Sequence, residues 1–261
     1  MSRRFVVLLL ALLIFYSMQN LAFEEKIGKD STKNFENDYT HFVVAELGST
    51  TYCPYCPDAS DLMHSLHSLG NLPFYYITLV YDKSDVAQRR GRAFNDYFIP
   101  MLYVDGGYKV VDTTSEISYS NAIKSSAERN VRDVDIEVNA EWNGNDVSII
   151  LNVTNNENRI YFGHIMVCMA EIDSRWIRND GKHYNNTLMD YALNRYILIP
   201  GGKTKKLEVE WENKYNLQEG NTLILAFISN WIPHIQQNPW EKPKPNFFIA
   251  QFVDDANAAE I

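Results

Sequence analysis

The sequence predicts an α/β domain over residues 40–130, followed by an all-β sandwich domain over residues 131–261. Three observations carry this expectation. Apolar runs alternate with helix-period patterns up to about Asn130, and strict apolar/polar alternation takes over after it. The third is size: 261 residues with 46% hydrophobic and 22% charged side chains suffice for two cores and exclude collagenous, coiled-coil and disordered chains. The 33 acidic residues against 24 basic ones give a net charge of -9, a balance that argues against nucleic acid as a partner.

Residues 1–23 read as a signal peptide or N-terminal anchor. Arg3 and Arg4 precede an uncharged apolar run over residues 5–16, the pattern of an export signal, and Ser17, Gln19 and Asn20 interrupt the run before a full membrane span. The expected location is therefore extracytoplasmic, either secreted or tethered to a membrane through this segment. Residues 24–39, polar and mixed in sign, read as a linker.

The elements of the first domain follow in order. Residues 42–47 are strand-like, and Leu62, Leu66 and Leu69 then recur at helical spacing until Gly70 stops them. Residues 74–81 form a second strand rich in aromatic and β-branched side chains, and residues 84–94 a polar, Arg-rich helix. A hairpin over residues 101–111 turns at Asp105-Gly106-Gly107, and a helix over residues 114–129 closes the unit. In the second domain, Val134, Ile136, Val138, Ala140 and Trp142 alternate with polar residues, as do Val147, Ile149, Leu151 and Val153 after an Asn143-Gly144 turn. Further strands are expected at residues 160–172, 191–199, 207–211, 223–229 and 247–253, and such a series suggests an immunoglobulin-like sandwich.

The chemistry concentrates in Cys53-Pro54-Tyr55-Cys56, placed where the first strand gives way to the first helix. A helix opening at Cys53 sets that sulfur beside unpaired N–H groups and the positive end of the helix dipole, which favours the thiolate. Pro54 then fits the first helical position, and Cys56 returns within disulfide reach one turn later. With Ile99-Pro100 and the hairpin after it, these residues resemble the thioredoxin superfamily over about residues 40–130, and the tetrapeptide is similar to that of glutaredoxins. The resemblance implies that Pro100 is a cis-proline facing the dithiol, with Ile99 and Tyr55 against the partner chain. It also implies that Glu46 is a buried acid near the resolving cysteine. The whole plan is similar to a family of microbial surface proteins as well.

The expected function is that of an exported thiol-disulfide oxidoreductase exchanging disulfides with protein thiols through Cys53 and Cys56, with no cofactor and no metal. Reductase, oxidase and isomerase directions stay open. The alternative is a surface binding protein in which the thioredoxin-like fold is a scaffold and Cys53-Cys56 a structural disulfide, and accessibility of Cys53 separates the two. Half a zinc site is a further reading, but His64 and His67 lie eight and eleven residues past Cys56, about 12 and 16 Å along a helix. Cys168, inside a continuous apolar run, reads as a packed thiol. Arg89, Arg90 and Arg92 read as a solvated helix face, and Trp231 and Trp240 as loop aromatics in a proline-spaced segment.

Overall fold

The computed structural model describes residues 39–261, so the expected export segment and nearly all of the linker lie outside the described residues. The first strand, β1 (Val43–Ser49), is buried along its whole length, which accounts for its unbroken apolar character. It lies between a parallel β2 (Phe74–Val80) and an antiparallel β3 (Met101–Val104), and β4 (Lys109–Val111) pairs with β3 at the edge. The connection from β1 to β2 is α1 (Cys56–Leu69), which turns Ala59, Met63 and Leu66 onto the sheet. Gly70 ends it in the left-handed region at φ 64°, where its N–H reaches the His67 carbonyl. The next two helices are capped by serine: Ser84 accepts from the Ala87 N–H ahead of α2 (Asp85–Ala93), and Ser115 from the Ser118 N–H ahead of α3 (Glu116–Ala127).

A three-stranded sheet follows, with β6 (Asp146–Asn155) between β5 (Val134–Asn143) and β9 (Lys203–Trp211). Two long strands, β7 (Tyr161–Ile177) and β8 (His183–Ile199), pair as a hairpin, and β10 (Thr222–Asn230) and β13 (Val253–Glu260) extend the sheet beyond β7. A short ribbon pairs β11 (His234–Gln237), in the segment expected to be loop after Trp231, with β12 (Phe247–Ala250), inside the strand expected at residues 247–253.

This arrangement corrects the expected fold class. The strands of both halves join in one eight-stranded mixed sheet, ordered β13-β10-β7-β8-β2-β1-β3-β4, in which Thr78 of β2 pairs with Thr187 of β8. Strands hold 49% of the described residues and helices 17%, and residues 39–261 form one compact unit. The chain is therefore a predominantly β molecule with a continuous sheet, not a thioredoxin-like α/β domain followed by a separate immunoglobulin-like sandwich. The physical reason is burial on both faces. Ile165, Val167 and Met169 pack toward β5, β6 and β9, whereas Met166, Cys168 and Ala170 pack with Val44, Ile77 and Leu79 of β1 and β2. No boundary at residue 130 separates such a core. Among the described residues, no helix is long and apolar enough to cross a membrane.

Candidate functional site

β1 delivers the chain to the site with its last residues already fixed. Ser49 Oγ lies 2.6 Å from the Tyr184 hydroxyl, which also donates to the Thr50 carbonyl at 2.9 Å. The Thr51 N–H donates to Asp82 Oδ1 at 2.9 Å, and the Cys53 N–H to the Thr50 carbonyl at 3.2 Å, closing a turn. Cys53 and Cys56 form a disulfide with their Cα atoms 5.5 Å apart. The helix begins at Cys56, three residues later than expected, with Tyr55 as its N-cap and Pro57 in its first turn. The sulfur still reaches the helix end: the Cys56 N–H, one of the unpaired donors of the first turn, donates to Cys53 Sγ at 3.1 Å. Cys53 is only 3% exposed and Cys56 is fully buried, whereas Tyr52 and Tyr55 stand out at 70% and 72%.

Beside the tetrapeptide lies a cavity of about 570 Å³, lined by Tyr55, Ile99, Pro100, Phe98 and Met101, by Asp112 to Thr114, and by Pro239 and Trp240. The Ile99–Pro100 bond is cis. Tyr55, Ile99 and Pro100, which the resemblance placed against a partner chain, share one groove. Trp240 packs its ring 5.2 Å from that of Phe98 and 6.2 Å from that of Tyr97. Asn238 holds this wall in place: its Nδ2 donates to the carbonyls of Phe94 and Asn95, and its Oδ1 accepts from the Tyr103 hydroxyl. The proline-spaced Trp240 segment carried a sequence signal; Asn238 did not.

Glu46 is not brought to this site. Val43, Ala45 and Leu47 face α1, and the alternation of a strand turns Glu46 to the other side of the sheet with Val44. There Arg90 of α2 grips it through Nε and Nη2, both at 2.7 Å, while the Arg90 guanidinium covers the Phe94 ring at 4.3 Å. Burial opposes the charge of Arg90, but the Glu46 carboxylate outweighs it and holds the guanidinium pKa above its ordinary value. Arg90 is therefore no solvated arginine. Next to this pair, Asp96 accepts from the Tyr81 hydroxyl at 2.6 Å and from the Phe98 N–H at 3.2 Å. Burial pushes its carboxyl up to about 6 against those hydrogen bonds.

The remaining candidates are structural. Cys168 is free and fully buried, and burial pushes its thiol well up. His64 and His67 turn toward Tyr76, and no group of three or more metal-ligating side chains gathers among the described residues. Thr40, His41 and Asp105 make a hydroxyl–imidazole–carboxylate chain with contacts of 2.9 and 2.8 Å. The Thr40 hydroxyl, however, donates to the carbonyls of Ala127 and Arg129, and Asp105 also accepts the Val44 N–H, so the chain ties α3 to β1.

No family model matches this chain, and no curated protein matches it. Among solved structures it is similar to protein AGR_C_4864 from Agrobacterium tumefaciens, at 12% identity and a TM-score of 0.49, covering 84% of this chain and 93% of that one. It is also similar to Spo0M, a sporulation control protein from Bacillus subtilis, at 11% identity and a TM-score of 0.31 over 51% of this chain and 49% of that one. A β-glucosidase from Kluyveromyces marxianus in complex with glucose aligns over 50% of this chain but 14% of its own, at 8% identity and a TM-score of 0.29. Likenesses this weak assign neither a family nor an activity, and they lend no support to the thioredoxin-like and oxidoreductase labels that the resemblance implied.

Proposed function

We propose that Cys53 and Cys56 exchange disulfides with protein partners outside the cytoplasm. The reading rests on the chemistry of the pair and no longer on a fold family. The observation that carries it is the hydrogen bond from the Cys56 N–H to Cys53 Sγ at the opening of α1: once the disulfide is reduced, the same donor and the helix dipole favour a thiolate at Cys53. That thiolate attacks one sulfur of a partner disulfide, and the other sulfur leaves as a thiolate. Cys56 then attacks Cys53 Sγ in the mixed disulfide, which releases the second partner thiol and restores the Cys53–Cys56 bond. Two electrons pass from the Cys53–Cys56 dithiol to the partner, and the reverse sequence oxidises it. The groove at Tyr55, Ile99 and Pro100 offers a surface for the partner chain beside the bond that reacts.

The coverage of Cys53 favours a second reading, in which the disulfide is static and stiffens the end of β1. Insulin reduction by dithiothreitol separates the two. Exchange predicts that the protein accelerates precipitation of the insulin chains at least tenfold over a Cys53→Ser control. Equal rates for the two proteins contradict it and leave the static disulfide.

A further inference from the structure

The tip of the β7–β8 hairpin runs past both neighbouring strands. β10 pairs with β7 only as far as Glu171, and β2 pairs with β8 only at Thr187. What lies beyond reaches back to the redox pair on both of its sides. Tyr184 grips Ser49 and Thr50 ahead of Cys53, as described above. Behind Cys56, the Arg178 side chain, 1% exposed, donates through Nη1 to Asp61 Oδ1 at 2.6 Å and to the Pro57 carbonyl at 3.5 Å. Its other nitrogens hold Asp180, with Nη2 to Oδ2 at 2.7 Å and Nε to Oδ1 at 3.1 Å, and Lys182 Nζ reaches Asp61 Oδ2 at 3.0 Å. Two cations and two carboxylates thus meet over the first turns of α1, and their charges cancel. Burial alone would raise the Asp61 carboxyl, yet the hydrogen bonds from Arg178 and Lys182 outweigh it and hold it below its ordinary range.

We propose that Arg178 and Asp61 are positioning residues that set the redox equilibrium of Cys53–Cys56 with opposite signs, the hairpin tip acting as a charged clasp on the redox turn. This rests on the exchange reading above. Pro57, whose carbonyl Arg178 contacts, directly follows Cys56, so an uncompensated charge here acts on the thiolate that reduction creates. Removing the Arg178 cation leaves a negative excess, which disfavours the thiolate and makes the disulfide harder to reduce. Removing the Asp61 carboxylate leaves a positive excess and makes it easier.

The test equilibrates the full chain with glutathione buffers at pH 7, where two glutathione thiols reduce the Cys53–Cys56 bond and are released as one glutathione disulfide. Alkylation and mass measurement give the reduced fraction. Expected are a roughly fivefold lower equilibrium constant for reduction in Arg178→Gln, a roughly threefold higher one in Asp61→Asn, and a value within about twofold of the parent in Arg178→Lys. A clasp that merely holds the fold together does not move the two constants in opposite directions. Shifts of the same sign, or none in Asp61→Asn, overturn the clasp while leaving exchange intact. If Arg178→Gln does not fold, Asp61→Asn and Arg178→Lys decide the question. A parent disulfide that no ratio of dithiothreitol reduces overturns the exchange reading and the clasp together.

Discussion

At the scale of single residues, Cys53 and Glu46 show how different the reach of a sequence motif can be. Cys-Pro-Tyr-Cys announced itself through spacing, and its two sulfurs are bonded as a three-residue separation permits. Glu46 was assigned through the resemblance, from its place at the end of the first strand, but what decides its role is which face of β1 it occupies. That parity is not legible, because β1 is apolar on both faces and offers no alternation to count. The Arg90 ion pair it forms instead needs a helix that follows β2, a contact no local pattern announces. Asp96 makes the prediction that belongs at this scale. Its carboxyl is raised from 3.8 to about 6, so it binds a proton more tightly in the folded state than in the unfolded one. Its contribution to stability is therefore fully present below about pH 4 and lost as pH rises through about 6. Urea denaturation of the parent and of Asp96→Asn at pH 4.5 and pH 7 checks this: the parent should lose stability relative to the variant as pH rises. A difference that does not change with pH contradicts it.

At the scale of elements, the helices were legible from helical spacing and the inner strands β1 and β2 from continuous apolar runs, whereas other features had no such local signal. α1 opens at Cys56 rather than at Cys53, so the disulfide ties the turn before the helix to the helix's first residue. β13 escaped detection because VDDANAAE holds acids and alanines where strands favour branched residues. Asp254 and Asp255 are buried and accept backbone N–H groups from distant parts of the chain: Asp255 from Phe42 and Ile136, Asp254 from Arg132. The β7–β8 tip is polar and reads as a loop, yet its Arg178 and Tyr184 hold the segments on either side of the disulfide. Helix α2 supplies the prediction here. A Cβ at Gly91 would lie 2.6 Å from the Tyr81 ring, and that ring cannot withdraw, since Gly48 meets its other end with only 2.5 Å for a Cβ and Asp96 holds its hydroxyl. Alanine in a helix gains about 1 kcal/mol over glycine. Overpacking a buried ring costs about 1–3 kcal/mol, so Gly91→Ala should lower the urea-denaturation free energy by up to about 2 kcal/mol. A stabilised variant contradicts this packing.

At the scale of the whole molecule, the change of periodicity at Asn130 was real but was not a domain boundary. Local patterns report which faces are covered, not which strands cover them, and here β7 and β10 share a core with β1, β2 and α2. A continuous core and sheet predict one cooperative unfolding transition, with far-ultraviolet dichroism and tryptophan fluorescence coincident in urea. Two resolved transitions would restore separate domains. The proposed exchange stands at the same scale, because Cys53 is held by β1, α1 and the hairpin tip together. Its most direct measurement is a trap: with Cys56→Ser, a mixed disulfide formed at Cys53 cannot be resolved. Incubation with a disulfide-bonded peptide should then yield a stoichiometric adduct that peptide mass mapping places on Cys53 and that is absent from the Cys53→Ser, Cys56→Ser double variant. No adduct at Cys53 on unfolding-free timescales, with the thiol still blocked to alkylation, would contradict the account.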